Sequence, residues 1–196
     1  MSREMLFALV FGYLLGSIPF GLVLTRLAGK GDIRNIGSGN IGATNVLRTG
    51  SKMLAVLTLV LDCLKATAAI LIAKRLFGEE SAILAAAGAL FGHLYPIWLK
   101  FRGGKGAATF LGILIPLLPI AAAVYAAVWI LQLLTFRISS VAGMTAAISA
   151  PITATILRSS LFPMLLGFAV LVLWKHRENI ARLTRGTEPR IGRAKA

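Results

Sequence analysis

The sequence has few of the residues from which metal and nucleophile centres are usually built: one cysteine, two histidines and seven acidic residues in 196. Its single cysteine, Cys63, allows no disulfide within the chain and no cysteine cluster for zinc. The sequence contains no acidic cluster suited to Mg²⁺ and no Gly-x-Ser-x-Gly turn that would present a nucleophilic serine. We therefore expect neither a metal ion nor a cofactor, and we interpret Cys63 as a small interior residue.

Apolar and basic residues are in excess. The chain is 57% hydrophobic and its mean hydropathy is +0.82, which is typical of an integral membrane protein. Its formal charge of +14 fits the excess of lysine and arginine in cytoplasmic loops and an attraction to anionic lipids. Because these bases do not lie on a soluble basic face, we do not expect the chain to bind nucleic acid.

Three apolar segments open the chain, at residues 5–24, 53–73 and 82–99. Each is close to the roughly 20 residues that a helix needs to cross a bilayer. The first lacks a small-x-small cleavage site, so we interpret it as a retained span rather than a signal peptide. Ser17 and Pro19 predict a kink near its end.

Two longer apolar stretches follow, at residues 107–136 and 141–174. As single helices they would measure about 45 and 51 Å, against a hydrocarbon core of about 30 Å. Pro116 and Pro119 interrupt the first stretch, and the polar and proline positions of residues 158–163 interrupt the second. We therefore predict an all-α bundle of seven transmembrane helices. Five helices, two of them strongly tilted, are the alternative.

The basic residues divide unequally on this map, because sixteen of the 21 lysines and arginines lie on one side and four on the other. The positive-inside rule then places the N-terminus outside and the C-terminal tail in the cytoplasm. We expect a single membrane domain over residues 1–196 in the inner membrane of the cell. We further expect it to function as a monomer, with its site facing the cytoplasm.

The most distinctive stretch is GSGNIGATNVLR, residues 37–48, which we call the first glycine loop. Glycines let successive backbone N–H groups turn toward one point, as in an anion-binding nest. The polar side chains add neutral donors, and Arg48 adds a forked cation suited to phosphate. The loop therefore predicts a site for a phosphorylated small molecule; a flexible polar connector is the alternative. It also matches Gly-x-Gly-x-x-Gly, but a dinucleotide site requires a preceding strand, and here a membrane helix precedes it.

A second glycine loop, KFRGGKG, occupies residues 100–106 and follows His93 near the end of a span. Gly103 and Gly104 free the backbone around Lys105 to approach a ligand. The alternative is a set of basic side chains that extend to the membrane boundary.

The C-terminal basic segment, KHRENIARLTRGTEP, occupies residues 175–189. If the last span continues past residue 174, His176, Asn179 and Ile180 lie on one helical face. Gly186 is a predicted helix stop. Its histidine, asparagine, threonine and glutamates make the segment richer than a plain polybasic anchor. A disordered tail bound to lipid headgroups is the alternative.

Two further polar groups interrupt the apolar sequence. Asp62 and Lys65 lie three apart on one face of a membrane helix, where an ion pair is a functional hypothesis by default. A mutually neutralising structural pair fits them equally well. Arg137, Ser139 and Ser140 form a short polar joint that we expect on the cytoplasmic side.

Three stretches, GSGNIGATNVLR, GHLYPIWLKFRGGKG and KHRENIARLTRGTEP, resemble in order and spacing the three cytoplasmic motifs of the bacterial acyl-phosphate:glycerol-3-phosphate acyltransferase family. The resemblance covers nearly the whole chain and includes GSIPFG at residues 16–21. Neither histidine is followed five positions later by an aspartate, so the paired His and Asp of the common glycerolipid acyltransferases is absent.

The resemblance implies an integral membrane enzyme that moves a fatty acyl group from acyl phosphate to the 1-hydroxyl of sn-glycerol 3-phosphate. This is the first acylation of phospholipid synthesis, and its partners would be the two substrates and membrane lipids. Acyl-CoA and acyl carrier protein would not be direct donors. The non-enzymatic alternative is a transporter or flippase of phosphate esters, for which inverted repeats and broken helices would be expected.

The motifs, read with the loops above, also imply site residues. The expected catalytic residues are Ser38, Arg48, Lys105, His176 and Asn179. The expected substrate-binding residues are Gly37, Gly39, Asn40, Gly42, Thr44, Asn45, His93, Gly103, Gly104, Ser139, Ser140 and Glu188.

Overall fold

The structure, a computed structural model, describes residues 2–192, and within that range it contains ten α-helices and no β-strand. In chain order these are α1 (Arg3–Gly16), α2 (Phe20–Leu27), α3 (Ala43–Leu47), α4 (Lys52–Phe77), α5 (Glu79–Leu94), α6 (Ala107–Leu117), α7 (Pro119–Phe136), α8 (Ser139–Ile156), α9 (Phe162–Lys175) and α10 (Arg177–Thr184). Short 3₁₀ turns add Ile33–Asn35 and Ile97–Leu99. The all-α fold predicted from the sequence is confirmed for these residues.

Five helical segments in the described range are long and apolar enough to cross a bilayer. They are Arg3–Leu27, Lys52–Phe77, Glu79–Leu99, Pro119–Phe136 and Ser139–Ile156. Helices α6 and α9 are apolar but shorter. Each of the two long apolar stretches therefore forms two helices, because the chain leaves helical geometry at Leu118 and again after Ile156.

The helix ends follow local chemistry. The predicted kink in the first span is a break: α1 ends at Gly16, and α2 begins immediately after Pro19, which has no backbone N–H to donate. Between the apolar segments 53–73 and 82–99 we expected a short turn, and it is shorter still, because α4 and α5 continue to either side of Gly78. That glycine has φ 87°, a left-handed conformation that other residues adopt at a cost.

The chain divides into two compact units, Met1–Pro116 and Leu117–Ala196. In the first unit α1 packs along α5, and α4 packs against both. A Cβ added to Gly12 or Gly16 would overlap the backbone of Ala85 or Ala89. Small residues thus let the two helices approach closely, as is common between membrane helices. In the second unit α8 packs against α7 and α9, and α10 follows α9.

Candidate active site

Asn45 organises the first glycine loop from the inside. Its side chain is 1% exposed, and its Nδ2 donates to the carbonyl oxygens of Ile33 at 2.7 Å and Ile36 at 3.1 Å. Its Oδ1 accepts from the Ser38 backbone N–H at 3.1 Å and from Arg48 Nη1 at 3.3 Å. One buried amide therefore fixes both the backbone at Ser38 and the direction of the Arg48 guanidinium.

The backbone of this loop needs glycine where it turns. Gly37 has φ 58° and Gly39 has φ 68°, both in the left-handed region. A Cβ on Gly37 would overlap Arg48 Nη1 and Asn45 Oδ1, so the turn also makes room for the arginine. Helix α3 follows directly and carries Asn45 and the base of Arg48.

Apolar side chains anchor the loop to the rest of its unit. Leu22, Ile33, Ile41, Val46 and Ala55 form a buried cluster beneath it. Leu99, which lies just before the second glycine loop, packs against the same cluster. Both glycine loops are thus attached to one apolar base in the first unit.

Asp32 links two arginines in the segment that precedes the first glycine loop. Its carboxylate accepts from Arg34 at 2.5–3.1 Å and from Arg26 Nη2 at 2.8 Å. The hydrogen bond from the Arg34 guanidinium is the main reason that the pKa of Asp32 lies well below its ordinary value. Both arginines are partly exposed, so the group shapes a surface turn.

The second glycine loop folds back over the end of α5. Gly104 N–H donates to the His93 carbonyl at 3.0 Å, and Gly103 N–H donates to the Leu94 carbonyl at 3.2 Å. The chain reverses direction through a left-handed backbone conformation at Lys100, with φ 51°, directly after the 3₁₀ turn Ile97–Leu99. A Cβ on Gly104 would overlap His93 Nε2, so the imidazole lies directly against the loop.

His93 is 5% exposed and belongs to a buried polar group inside the first unit. Lys65 Nζ lies 2.9 Å from His93 Nδ1 and 2.7 Å from Asp62 Oδ1. The Asp62 and Lys65 ion pair predicted from the sequence is therefore present. Lys65 also contacts His93, which lies 28 residues further along the chain.

In the second unit, Glu188 accepts hydrogen bonds from several polar side chains of α8 and the C-terminal basic segment. Its Oε1 accepts from Ser140 Oγ at 2.7 Å and Asn179 Nδ2 at 2.6 Å, and its Oε2 accepts from Arg182 Nε at 2.7 Å. Burial alone would raise the pKa of Glu188, but these three donors outweigh it and hold the pKa below its ordinary value. Ile191 N–H also donates to the Arg137 carbonyl at 2.7 Å, which ties the segment to the start of α8.

His176 lies at the junction of α9 and α10. The regular helix does not continue through it: α9 ends at Lys175 and α10 begins at Arg177, with His176 between them. His176 and Asn179 are buried, at 4% and 6% exposure, whereas Ile180 is 41% exposed. The predicted shared face therefore applies to the first two residues only. Helix α10 ends at Thr184, just before Gly186 with φ 70°, as the sequence predicted.

His176 Nδ1 lies 2.8 Å from the Val172 carbonyl oxygen. Because a carbonyl can only accept, this contact places a proton on Nδ1 and leaves the lone pair on Nε2 in the neutral ring. Nε2 is therefore the unprotonated ring nitrogen in this tautomer.

The site residues expected from the sequence are divided between the two units. The first unit holds both glycine loops, with Gly37, Ser38, Gly39, Asn40, Gly42, Thr44, Asn45, Arg48, His93, Gly103, Gly104 and Lys105. The second unit holds Ser139, Ser140, His176, Asn179 and Glu188. Within residues 2–192, no three histidine, cysteine or acidic side chains form a group that could hold a metal ion.

Some positioning residues were not among the site residues expected from the sequence. Arg182 completes the cluster around Glu188, and its spacing of six residues from a glutamate was the available signal. Asp32 sits two residues before Arg34, a spacing that allows the bidentate contact seen here.

The chain matches known proteins over nearly its whole length. The model of the glycerol-3-phosphate acyltransferase family matches residues 6–186. The glycerol-3-phosphate acyltransferase of Mesorhizobium japonicum is 55% identical over 98% of both chains, and that of Brucella anthropi is 56% identical over 98% of this chain and 96% of the relative.

Solved structures agree as well. PlsY (YgiH), described as an integral membrane glycerol 3-phosphate acyltransferase, is 41% identical in its glycerol 3-phosphate form, with a TM-score of 0.90 over 96% of both chains. Its lysophosphatidic acid form is 40% identical, with a TM-score of 0.87 over 96% of this chain and 95% of that one. The chain belongs to the glycerol-3-phosphate acyltransferase family of integral membrane enzymes.

Proposed function

We propose that this enzyme transfers a fatty acyl group from acyl phosphate to the 1-hydroxyl of sn-glycerol 3-phosphate. The products are 1-acyl-sn-glycerol 3-phosphate and inorganic phosphate. The observation that carries the proposal is the first glycine loop, where Asn45 holds both the Ser38 backbone N–H and the Arg48 guanidinium. A solved relative with 41% identity is described in a glycerol 3-phosphate form, which supports this substrate.

Acyl phosphate needs no covalent nucleophile on the enzyme, because it is a mixed anhydride with a good leaving group. The 1-hydroxyl oxygen attacks the acyl carbonyl carbon, and the bond from that carbon to the phosphate oxygen breaks. Phosphate leaves with the electron pair, and the hydroxyl proton passes to a base. Catalysis then consists of holding two anions together and stabilising the charge that develops between them.

The cations of the glycine loops are suited to that task. Repulsion between two anions at about 4 Å is worth about 4 kcal/mol at an effective dielectric of about 20. We assign the screening to Arg48 and Lys105. Phosphate binding falls to the Ser38 hydroxyl and to loop N–H groups other than those of Ser38 and Gly39, which have acceptors within the protein. The acyl chain would lie in an apolar groove between helices that is open to lipid.

Lys105 provides a direct test of this assignment. Lys105→Ala should lower the turnover of acyl phosphate by about 100-fold, the usual effect of removing one group that stabilises transition-state charge. Phosphate release by the purified enzyme measures it. Lys74→Ala, which removes a half-exposed lysine at the end of α4, is the matched control. Unchanged kinetics in Lys105→Ala would reject the role.

The base that removes the hydroxyl proton has two candidates. The contact of Nδ1 with Val172 leaves His176 Nε2 as an acceptor, which favours the histidine. A phosphate oxygen of the donor is the other candidate. His176→Gln should reduce kcat strongly at unchanged stability if the histidine is the base. Near-normal turnover in a stably folded variant would assign the proton to the donor phosphate.

The same assay separates the enzyme from a phosphate-ester transporter or flippase. Purified protein incubated with acyl phosphate and glycerol 3-phosphate should release inorganic phosphate only when both are present. A transporter would move the ester across a vesicle membrane and release none.

We further propose a single functional domain of seven spans, acting as a monomer in the inner membrane, with its N-terminus outside and its site in the cytoplasm. The charge distribution supports this orientation. The separate helices α6 and α7, and α8 and α9, support the higher count.

Arg137 distinguishes seven spans from five. With seven, it lies in the cytoplasm between α7 and α8; with residues 107–136 as one span, it lies outside. In a Cys63→Ala background, Arg137→Cys should react with a membrane-impermeant thiol reagent only after permeabilisation. Ser51→Cys and Gly78→Cys serve as the inside and outside controls. Labelling of Arg137→Cys in intact cells would favour five spans.

A further inference from the structure

A buried ionic cluster lies behind the second glycine loop, and its role was left open by the sequence. Lys65 and Asp62 side chains are 2% and 5% exposed, and the His93 side chain is 5% exposed. Lys65 Nζ has three oxygen or nitrogen neighbours: Asp62 Oδ1 at 2.7 Å, the Ile18 carbonyl at 2.8 Å and His93 Nδ1 at 2.9 Å.

The direction of these hydrogen bonds follows from the chemistry of the groups. An ammonium group has three protons and no lone pair, so it can only donate. Lys65 therefore donates to Asp62, to the Ile18 carbonyl and to His93 Nδ1. The imidazole must then carry its proton on Nε2.

Charge placement within the cluster agrees with this direction. Asp62 Oδ1 lies 2.7 Å from Lys65 Nζ but 3.8 Å from His93 Nδ1. The carboxylate thus stabilises a charge on the lysine more than one on the ring. A second cation on the imidazole would face the ammonium at 2.9 Å, which disfavours a charged His93.

The other edge of the imidazole faces the second glycine loop. A Cβ added to Gly104 would overlap His93 Nε2 and lie 2.7 Å from Cε1. The loop is tied to the same residue through the Gly104 N–H and the His93 carbonyl at 3.0 Å. Lys105 is the next residue, so the orientation of the imidazole influences the backbone position from which the Lys105 side chain extends.

We propose that Lys65, held by Asp62, is a positioning residue for the acyl transfer. It fixes His93 as a neutral ring protonated on Nε2 and so holds the second glycine loop with Lys105 in place. The inference rests on the proposed function for its consequence in catalysis. A purely structural pair would act differently, because replacing a buried ion pair by apolar residues is often neutral or stabilising.

The protonation state can be read directly, because the chain has only two histidines. Full-length enzyme labelled with ¹⁵N-histidine, in lipid nanodiscs and without substrate, gives separate signals for protonated and unprotonated ring nitrogens. His93→Gln identifies the signals of His93 by their loss. We expect Nε2 to be protonated and Nδ1 unprotonated. A proton on Nδ1, or on both nitrogens, would overturn the proposal.

The catalytic consequence requires a variant that does not leave a charge buried alone. The double variant Asp62→Leu/Lys65→Met removes the pair and keeps apolar bulk, and Lys65→Met alone is measured beside it. Lys74→Met on the same helix, where Lys74 pairs with Glu79 near the surface, is the matched control. Thermal unfolding gives the folded fraction to which kcat is normalised.

We expect the double variant to fold, to redistribute the His93 proton toward Nδ1, and to lose about tenfold in kcat per folded molecule. The Lys74→Met control should keep wild-type kinetics and the wild-type His93 signals. Full kcat in the folded double variant, or an unchanged proton on Nε2, would overturn the positioning role. If the wild-type enzyme released no phosphate, the proposed function would be wrong. The NMR signals would still show which ring nitrogen of His93 carries the proton.

Discussion

Replacing Gly37 with alanine should displace Arg48 without removing any functional group. A Cβ at this position overlaps Arg48 Nη1 and Asn45 Oδ1 and lies 2.5 Å from Arg48 Cδ. Ordinary van der Waals contact begins at 3.4 Å. The arginine side chain must therefore withdraw by about 0.9 Å before the loop can close around the new methyl group.

The substitution should lower both the catalytic rate and the stability, which are measured separately. A displacement of about 1 Å in a positioning group can lower the rate by about 100-fold, or about 2.7 kcal/mol of transition-state stabilisation. Separately, an alanine held at φ 58° costs about 1–2 kcal/mol of stability. Asn45 adds to the loss of stability, because its hydrogen bonds to the carbonyls of Ile33 and Ile36 prevent it from moving aside.

Gly50→Ala is the matched control. Gly50 has φ 84°, but a Cβ added there meets nothing within 4 Å, so it carries the backbone strain without the overlap. We would measure kcat/KM for both substrates in lipid nanodiscs, with thermal unfolding of each variant. Gly50→Ala should lose stability and keep its activity, whereas Gly37→Ala should lose both. Equal losses of activity would assign the effect to strain, and full activity in Gly37→Ala would refute the role of Arg48.

Two other substitutions test the remaining groups. Gly104→Ala places a methyl group against His93 Nε2 and should lower kcat/KM about tenfold by moving Lys105, measured as released phosphate; wild-type kinetics would contradict the placement of the loop. Glu188→Gln should reduce the free energy of unfolding by about 1–3 kcal/mol at neutral pH, because the charged acceptor of Arg182 is lost. The folded pKa of Glu188 is depressed, so its contribution is present above the unfolded pKa of about 4.3 and is lost as the pH falls through the folded value. Unfolding measured from pH 6 down to well below pH 4 should therefore be less acid-sensitive in Glu188→Gln than in wild type, and equal sensitivity would contradict the assignment.

Local chemistry made the helix ends and the glycine loops predictable. Pro19, Gly78 and Gly186 each end or separate helices because their backbone requirements are local. The close packing of α1 on α5 was missed, although Gly-x-x-x-Gly occurs at residues 12–16 and 88–92. That spacing is a known signal for membrane helices, yet it does not say which helix is the partner.

The contacts inside the site were harder to predict, because they join residues far apart in sequence. The pattern identified Asn45 as a donor, but its partner Ile33 lies 12 residues away and becomes available only when the loop closes. The pairing of Asp62 with Lys65 followed from helical spacing, whereas the addition of His93 depends on how α5 packs against α4.

Some arginines of this chain are oriented by a carboxylate and others by a neutral amide, and the two kinds of partner have different effects on the charge. Arg34 and Arg182, which lie outside the glycine loops, are held by carboxylates. Arg48 is instead oriented by the neutral oxygen of Asn45 at 3.3 Å. An amide fixes the direction of a guanidinium without cancelling its charge, so the loop keeps its attraction for a phosphate. A carboxylate in the same place would hold the arginine more tightly and would compete with the anionic substrate. The absence of acids within the two glycine loops, residues 37–48 and 100–106, is thus suited to binding two anions.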